Sequence, residues 1–316
     1  MDREQTTESP TDLPGRSWLG ALRRTVSEFS EDNLTDWAAA LTYYAVLAIF
    51  PALIVMVSVL GLIGESATKP LLDNLSSVAP GPANDILTSA IKDIQGSQGA
   101  AGVFFVAGLL AAVWSASGYI GAFMRASNAI YDIDEGRPIW KTLPLRVGLT
   151  VLLMVLTAVS AIGVTLSGGL AEQAGNVVGV GDTAVQIWNI AKWPVLLLFV
   201  SFMFAVLYWA APNVKQPGFR WITPGGVLAV LGWVIASIAF AFYVGNFGSY
   251  NKTYGALAGP IVFLVWLWIS NLMILLGAEF NAELERGRAI EQGMRPEDTE
   301  PFVEPRDTRK IEANQS

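Results

Sequence analysis

Six long stretches without a charged side chain constrain this 316-residue sequence more than any other feature. A transmembrane helix needs about 20 consecutive apolar residues, and each stretch provides them. The backbone of a lipid-exposed segment must form its hydrogen bonds within that segment. We therefore predict an all-α membrane bundle of six transmembrane helices, which span about residues 38–63, 100–124, 147–169, 193–212, 223–245 and 254–279.

The composition excludes several classes of function. Charged residues make up 15% of the chain, whereas soluble domains carry about 25%. Cysteine and histidine are absent, which excludes zinc sites built on them, cysteine nucleophiles and histidine bases. The net charge of −7 argues against nucleic-acid binding. No P-loop, nucleophile elbow or H-E-x-x-H motif is present. We therefore expect no enzyme activity, no catalytic residue, no cofactor and no metal.

The distribution of lysine and arginine predicts the orientation of the chain. When the segments between spans are assigned alternately to two sides, one side holds 16 of the 20 basic residues. This side includes both tails. Short cytoplasmic segments carry an excess of basic residues. We therefore predict a multi-pass protein of the inner (plasma) membrane with both termini in the cytoplasm.

The segments outside the spans have their own patterns. Residues 1–16 and 287–316 are polar and predicted to be disordered tails around a membrane domain at 17–286. Two apolar stripes separated by Pro80-Gly81-Pro82 predict two amphipathic helices in an external loop at 65–93. An amphipathic helix on the inner leaflet is predicted from helically spaced apolar residues, namely Trp18, Leu19, Leu22, Val26 and Phe29.

Polar side chains at membrane depth are the best indicators of function, because their burial in lipid is costly. The second predicted span places several of them on one helical face, which ends in Arg125 and Asn128. We predict that this face binds a polar or anionic head group near the inner leaflet. The candidate substrate-binding residues are Arg125, Asn128, Trp114 and Ser117, with Tyr43 from the first span.

Three further polar residues are candidates for coupling to an ion. Asp36 is predicted to pair with Arg125, although Asp36 could instead cap its helix while Arg125 reaches lipid phosphates. Glu279 lies at the cytoplasmic end of the last span, where it could line a proton or cation path or be a solvated boundary residue. Asn271 lies on the same side of that helix.

Small residues predict where helices approach each other closely. Gly118 and Gly121 lie on the polar face of the second span, and Gly255 and Gly259 form a G-x-x-x-G motif in the sixth. Such residues let the backbones of neighbouring helices come together. We assign these four glycines to helix packing.

Three blocks of the sequence are distinctive: AAALTYYAVLAIFP at 38–51, WSASGYIGAFMRASNAIY at 114–131 and YGALAGPIVFLVWLWISNLMILLGAEFNAEL at 254–284. They resemble the YihY / virulence factor BrkB family, formerly labelled ribonuclease BN. The resemblance implies an inner-membrane protein of six helices. It also implies export or transport of a lipid or small solute, and the nuclease label looks like a misassignment.

The sequence is compatible with several functions. The leading hypothesis is a transporter or exporter of a lipid-like amphiphile or small solute, driven by an ion gradient because no nucleotide-binding motif is present. The alternatives are a non-transporting scaffold for cell-envelope partners and, least favoured, a membrane nuclease. The expected partners are membrane lipids and a lipid or solute substrate, without nucleic acid. A homo-oligomer is compatible with the sequence.

Overall fold

The computed structural model describes residues 10, 13–63, 100–165, 182–216, 218, 223–246, 258–293 and 301–315. The predicted external loop at 65–93 lies outside them. The described residues are helical apart from turns and one isolated β-bridge between Val214 and Pro305. Their helices are α1 (Gly15–Glu31), α2 (Leu34–Ile63), α3 (Ala100–Ile130), α4 (Ile139–Thr165), α5 (Asp182–Ala210), α6 (Thr223–Asn246), α7 (Ala258–Glu291) and α8 (Arg309–Gln315).

Five of these helices are long and apolar enough to cross a membrane. They are α3 to α7, with the apolar ranges Phe105–Ile130, Ile139–Ser160, Gln186–Ala210, Pro224–Asn246 and Ala258–Glu291. In α2 the apolar range among the described residues is shorter, Leu34–Ile49. The all-helical membrane fold predicted from the sequence is therefore present.

The chain divides into two compact units. One contains Met1–Thr42 and Ile120–Ser316, and the other contains Tyr43–Tyr119. In the smaller unit, α2 and α3 approach closely at Gly118. A Cβ atom at Gly118 would lie 2.9 Å from Cδ1 of Tyr44, so the tyrosine ring packs directly on the glycine backbone.

The larger unit contains α7, the longest of the described helices. Its 34 residues extend over about 51 Å, whereas the hydrocarbon core of a bilayer is about 30 Å thick. The helix packs most extensively against α6 and α1. From Gly277 to Gly287 every residue of α7 is buried, including four that carry charge in water. These four residues are Glu279, Glu283, Glu285 and Arg286.

Helix α1 covers one side of this buried part of α7. Ser17, Ala21 and Thr25 recur at every fourth residue and are buried, and Ala21 belongs to an apolar cluster that includes Phe280 and Leu284 of α7. The ring of Trp18 also packs here, 5.9 Å from that of Phe280. The other predicted apolar residues behave differently, because Leu19, Leu22 and Val26 are exposed. The helix is therefore amphipathic, as the sequence indicates, but Trp18 turns inward.

The C-terminal segment, residues 301–315, differs from the disordered tail predicted for 287–316. Its backbone bonds to the turn after α5, since Arg306 donates to the carbonyl oxygen of Asn213 over 2.8 Å. The Asn213 side chain donates to the carbonyl of Asp307 and accepts from its N–H. Phe302 is buried and packs on Tyr131. The charged composition of this segment suggests disorder, but one asparagine and one phenylalanine anchor it to the helices.

Candidate functional site

The candidate site is a cluster of acidic side chains within the larger unit, where α1 and α7 meet the turn after α3. Its members come from the C-terminal part of α7, from α1 and the turn after it, and from the exposed Asp132 in the turn after α3. The acidic members are Glu28, Asp32, Asp132, Glu279 and Glu283, and the basic members are Arg24 and Arg286. The acidic side chains outnumber the basic ones, so the cluster cannot neutralise itself by ion pairing alone.

Glu279 is the most isolated of these carboxyl groups. Its side chain is only 1% exposed, and neither Oε atom receives a hydrogen bond from an N–H or hydroxyl group of the described residues. A buried carboxylate without a donor is costly. The carboxyl group of Asp32 lies within hydrogen-bonding reach of it. Two carboxyl groups at this separation are stable only when they share a proton.

Asp32 lies in the short turn between α1 and α2. The N–H of Asp32 still bonds to the carbonyl of Glu28 at the end of α1. The next residue, Asn33, has φ of 52°, a left-handed conformation that asparagine tolerates and that ends the helix. Helix α2 begins one residue later at Leu34. In this turn the Asp32 side chain lies next to Glu279 of α7.

The pKa of Asp32 is raised to about 6. The largest cause is burial, which disfavours the charged form. The hydrogen bond to Glu279 lowers the pKa of Asp32, and the negative charges of Asp132 and Glu28 raise it. The positive charge of Arg286 lowers it. This group therefore changes protonation close to physiological pH.

Two arginines form ion pairs with the remaining acidic side chains. Nη2 of Arg24 donates to the carbonyl of Glu283 over 2.9 Å, and its Nε pairs with the Glu283 carboxylate. Arg286 lies 3.0 Å from Glu283 and 3.3 Å from Glu28. Its guanidinium group is 3.9 Å from Asp132. These ion pairs leave Glu279 and Asp32 as the pair that best accommodates a proton.

Aromatic side chains close the cluster on the side of the C-terminal segment. The guanidinium group of Arg286 lies over the ring of Phe302, 5.0 Å from its centre. Tyr131 lies beside that ring and its hydroxyl donates to Glu285. Burial and the neighbouring Glu285 charge raise the pKa of Tyr131, so it remains a neutral donor. The aromatic rings limit the access of water to the arginine.

The raised pKa of Asp32 gives a pH-dependent stability. A folded-state value near 6, above the usual 3.8, means that the stabilising proton is bound below about pH 4 and lost as the pH rises through 6. Asparagine has no such proton to lose. We therefore expect the apparent Tm of Asp32→Asn to rise relative to that of the wild type as the pH increases over this range. Thermal unfolding in detergent at pH 4 to 7 measures it. Asp36→Asn, at an exposed aspartate, should follow the wild type, and parallel curves for Asp32→Asn would contradict the assignment.

Comparisons with known proteins identify the family. The sequence profile of the Virulence factor BrkB family matches residues 25–301. The chain belongs to this family. It is 31% identical to the putative ribonuclease-like protein YfkH of Bacillus subtilis over 272 residues, which are 86% of this chain and 98% of YfkH. No solved structure matches the sequence.

Membrane proteins named UPF0761 are further relatives of this BrkB-family chain. One from Alkalilimnicola ehrlichii is 32% identical and one from Xanthomonas axonopodis is 27% identical. The matches cover 86% and 88% of the chain, but only 60% and 66% of these relatives. The chain thus spans nearly all of YfkH and about two thirds or less of the UPF0761 proteins.

The structure separates Arg125 from Asn128, which the sequence analysis placed in one interior groove. Arg125 is exposed, whereas Asn128 is buried. The Asn128 amide is hydrogen-bonded at both ends, to Glu135 over 3.1 Å and to the N–H of Asn213 over 2.7 Å. Asn128 therefore joins the ends of α3 and α5, and its amide is not available for a head group.

The predicted ion pair between Asp36 and Arg125 is absent from the described contacts. Both side chains are exposed, and neither takes part in an ion pair among the described residues. Asn271 is buried and donates to the hydroxyl of Thr42 over 3.0 Å. Its described bond thus joins α7 to α2, about two helical turns from Glu279.

The remaining predicted binding residues lie in the smaller unit. Trp114 is 67% exposed and Tyr43 is 60% exposed. Ser117 is buried, and its hydroxyl donates to the carbonyl of Trp114 in its own helix. Two exposed aromatic residues on long apolar helices are typical of a surface that faces lipid.

The glycines predicted to pack helices have different surroundings. At Gly121 an added Cβ would meet the flexible side chain of Arg146 at 2.9 Å. At Gly259 no atom of the described residues lies within 4 Å of an added Cβ, so these residues show no close helix contact there. Gly255 lies outside the described residues.

Sequence reasoning identified Glu279 but missed its partner Asp32 and the residues around them. One signal was present, because Glu279, Glu283 and Arg286 recur at helical spacing. This periodicity continues the last span beyond the membrane and indicates a packed helix rather than a tail. No comparable signal marks Asp32, which follows several other acidic residues.

Proposed function

We propose that this chain is a proton-coupled transporter of the inner membrane that moves a lipid-like amphiphile or small solute. Its proton site is the Glu279–Asp32 pair. The supporting observation is the buried Glu279 carboxyl group, which lacks a donor and faces a second carboxyl group. Ionisable groups at membrane depth commonly mark proton relays in pumps and transporters.

The proposal includes six spans, with α2 as the first, and both termini in the cytoplasm. Both α1 and the C-terminal segment contact the last turns of α7: Arg24 bonds to Glu283, and Phe302 packs on Arg286. An even number of crossings brings the two ends of a chain to one side of the membrane. The excess of basic residues on that side supports its assignment to the cytoplasm.

The proton pair supplies the coupling in this proposal. When the proton is bound, Glu279 is neutral and its burial between α1 and α7 is stable. When the proton leaves, two carboxylates repel each other beside Glu283 and Glu28. That repulsion favours an arrangement in which Glu279 reaches water or a cationic group. A proton gradient can therefore bias two arrangements of α7 relative to α1.

A ribonuclease is the second candidate, because YfkH carries a ribonuclease-like name. Metal-dependent hydrolysis of RNA needs convergent carboxylates around a metal ion. The described residues contain no group of three acidic side chains spaced to hold one. Degradation of RNA by the purified protein with Mg²⁺, lost in Glu279→Gln, would favour this candidate over transport.

The proposal is tested with the full chain in phosphatidylethanolamine–phosphatidylglycerol vesicles. An imposed pH gradient, an internal pH dye and a panel of labelled envelope lipids and osmolytes report coupled movement. We expect at least one compound to move at a rate that follows the gradient, together with protons. If no compound on a broad panel moves and the internal pH changes as in empty vesicles, the scaffold hypothesis replaces the transporter.

A further inference from the structure

Helices α6 and α7 touch backbone to backbone at one point. A Cβ atom on Gly225 would collide with the carbonyl oxygen of Gly277, and one on Gly277 would lie 2.6 Å from the Tyr208 hydroxyl. The amide side chain of Asn281 accepts from the N–H of Gly225 over 2.8 Å. This contact lies near the end of the α6–α7 pair where the acidic cluster is found.

The same two helices separate towards their other ends. In the middle, Trp233 donates to Ser270 over 2.9 Å and Trp266 donates to Ser237 over 3.2 Å. Beyond these bonds, no atom of the described part of the chain lies within 4 Å of an added Cβ at Gly245 or at Gly259. A groove of about 690 Å³ opens there, lined by Ser237, Phe240, Ala241, Val244, Gly245, Gly259, Val262, Phe263 and Trp266.

The lining of this groove is almost entirely apolar. None of its residues carries a charge, and its two polar side chains, Ser237 and Trp266, are bonded to each other. The volume lies within the range of about 300–1,000 Å³ that is usual for small-molecule sites. A polar or charged ligand would lose its hydration here without gaining a partner. The chemistry therefore selects an apolar ligand.

The surroundings of the groove identify that ligand. Both helices are long and apolar enough to cross a membrane, and residues beside the groove, Ile238 and Phe242, are exposed. From Ser237 to Gly245 the wall formed by α6 extends about 12 Å along the helix axis. In a bilayer, the apolar molecules that adjoin such an open groove are lipid chains.

We propose that the groove between α6 and α7 binds a hydrocarbon chain of a membrane lipid, held along the glycine-lined walls at Gly245 and Gly259. The two glycines create a recess where other residues would fill it, which distinguishes the groove from an ordinary lipid-facing surface. This inference goes beyond the proposed function, because it concerns binding and holds whether or not the chain transports anything.

The first test of the proposal is photolabelling of the wild-type protein. The full chain is reconstituted in phosphatidylethanolamine–phosphatidylglycerol vesicles that contain phosphatidylethanolamine with a diazirine on one acyl chain. After irradiation, labelled residues are mapped by mass spectrometry. We expect the label to concentrate on the groove residues Phe240 and Val262 relative to exposed Val155 and Leu198 on α4 and α5. An even distribution over all four positions would overturn the proposal.

Two variants that fill the groove provide the second test. The double variant Gly245→Leu with Gly259→Leu fills it at both glycines, and the open space at both positions predicts a folded protein. Labelling of Phe240 should fall about tenfold, as expected when several methylene groups lose their contacts. Ala239→Leu, at an exposed position outside the groove, should label as wild type. Gly259→Leu alone should give a smaller loss. Unchanged labelling of Phe240 in both glycine variants contradicts the site.

Discussion

Arg286→Met is expected to lower the stability of the protein by about 3–5 kcal/mol, the usual cost of removing one partner of a buried ion pair. The side chain is almost fully buried and lies near Glu28, Glu283 and Asp132. Without the guanidinium group, these carboxyl groups lose the cation that offsets their negative charge. Apparent Tm in detergent, together with the yield of folded protein, measures the loss.

Arg16→Met is the matched control. Arg16 also pairs with a glutamate, Glu291, at 3.1 Å, but its side chain is 78% exposed. Exposed ion pairs contribute little to stability, because water screens the two charges. The double variant Glu283→Gln with Arg286→Met should recover part of the loss, since it also removes one orphaned charge. Equal effects of Arg286→Met and Arg16→Met would show that the cluster does not hold the larger unit together.

Glu279→Gln is expected to lower gradient-dependent flux by at least about tenfold. A factor of ten corresponds to about 1.4 kcal/mol. Glutamine has the shape of the protonated acid but cannot release a proton. The variant should fold, because an amide can donate to Asp32 where the carboxylate could not. Flux in proteoliposomes at several pH gradients, and Tm of the same preparation, separate these two effects.

Glu304→Gln provides the comparison for this prediction. Glu304 is exposed and pairs with exposed Lys215, so the same chemical change is made at a carboxylate in contact with water. We expect its flux to equal that of wild type. Flux of Glu279→Gln that still follows the pH gradient would remove Glu279 from the coupling step, whatever the cargo.

Much of the helical framework follows from the sequence, because a bilayer leaves few options for long apolar segments. The α-helices α2 to α7 each overlap a predicted span. Glu279 could be singled out for a related reason, as an acidic residue directly after an apolar run. Both predictions rest on the cost of placing polar groups in lipid, which depends little on tertiary contacts.

The other details depend on contacts that a helical wheel does not contain. Arg125 and Asn128 are 60° apart on an ideal wheel, and the boundary between exposed and buried surface falls between them. The close crossing of α6 and α7 uses Gly225, from a pair of adjacent glycines, and Gly277, and neither belongs to a G-x-x-x-G motif. Asp32 lies next to Glu279 in a turn that ends α1 at Asn33. These features arise from how elements meet.

Infrared spectroscopy of carboxyl groups tests the central claim most directly. At pH 7, we expect wild-type protein in vesicles to show the carbonyl band of a protonated carboxylic acid shielded from water, and Glu279→Gln to lose it while Glu304→Gln keeps it. The band should also shift in Asp32→Asn, because its hydrogen-bond partner changes. A spectrum without such a band, or with one that persists unchanged in Glu279→Gln, would contradict a proton held between Glu279 and Asp32.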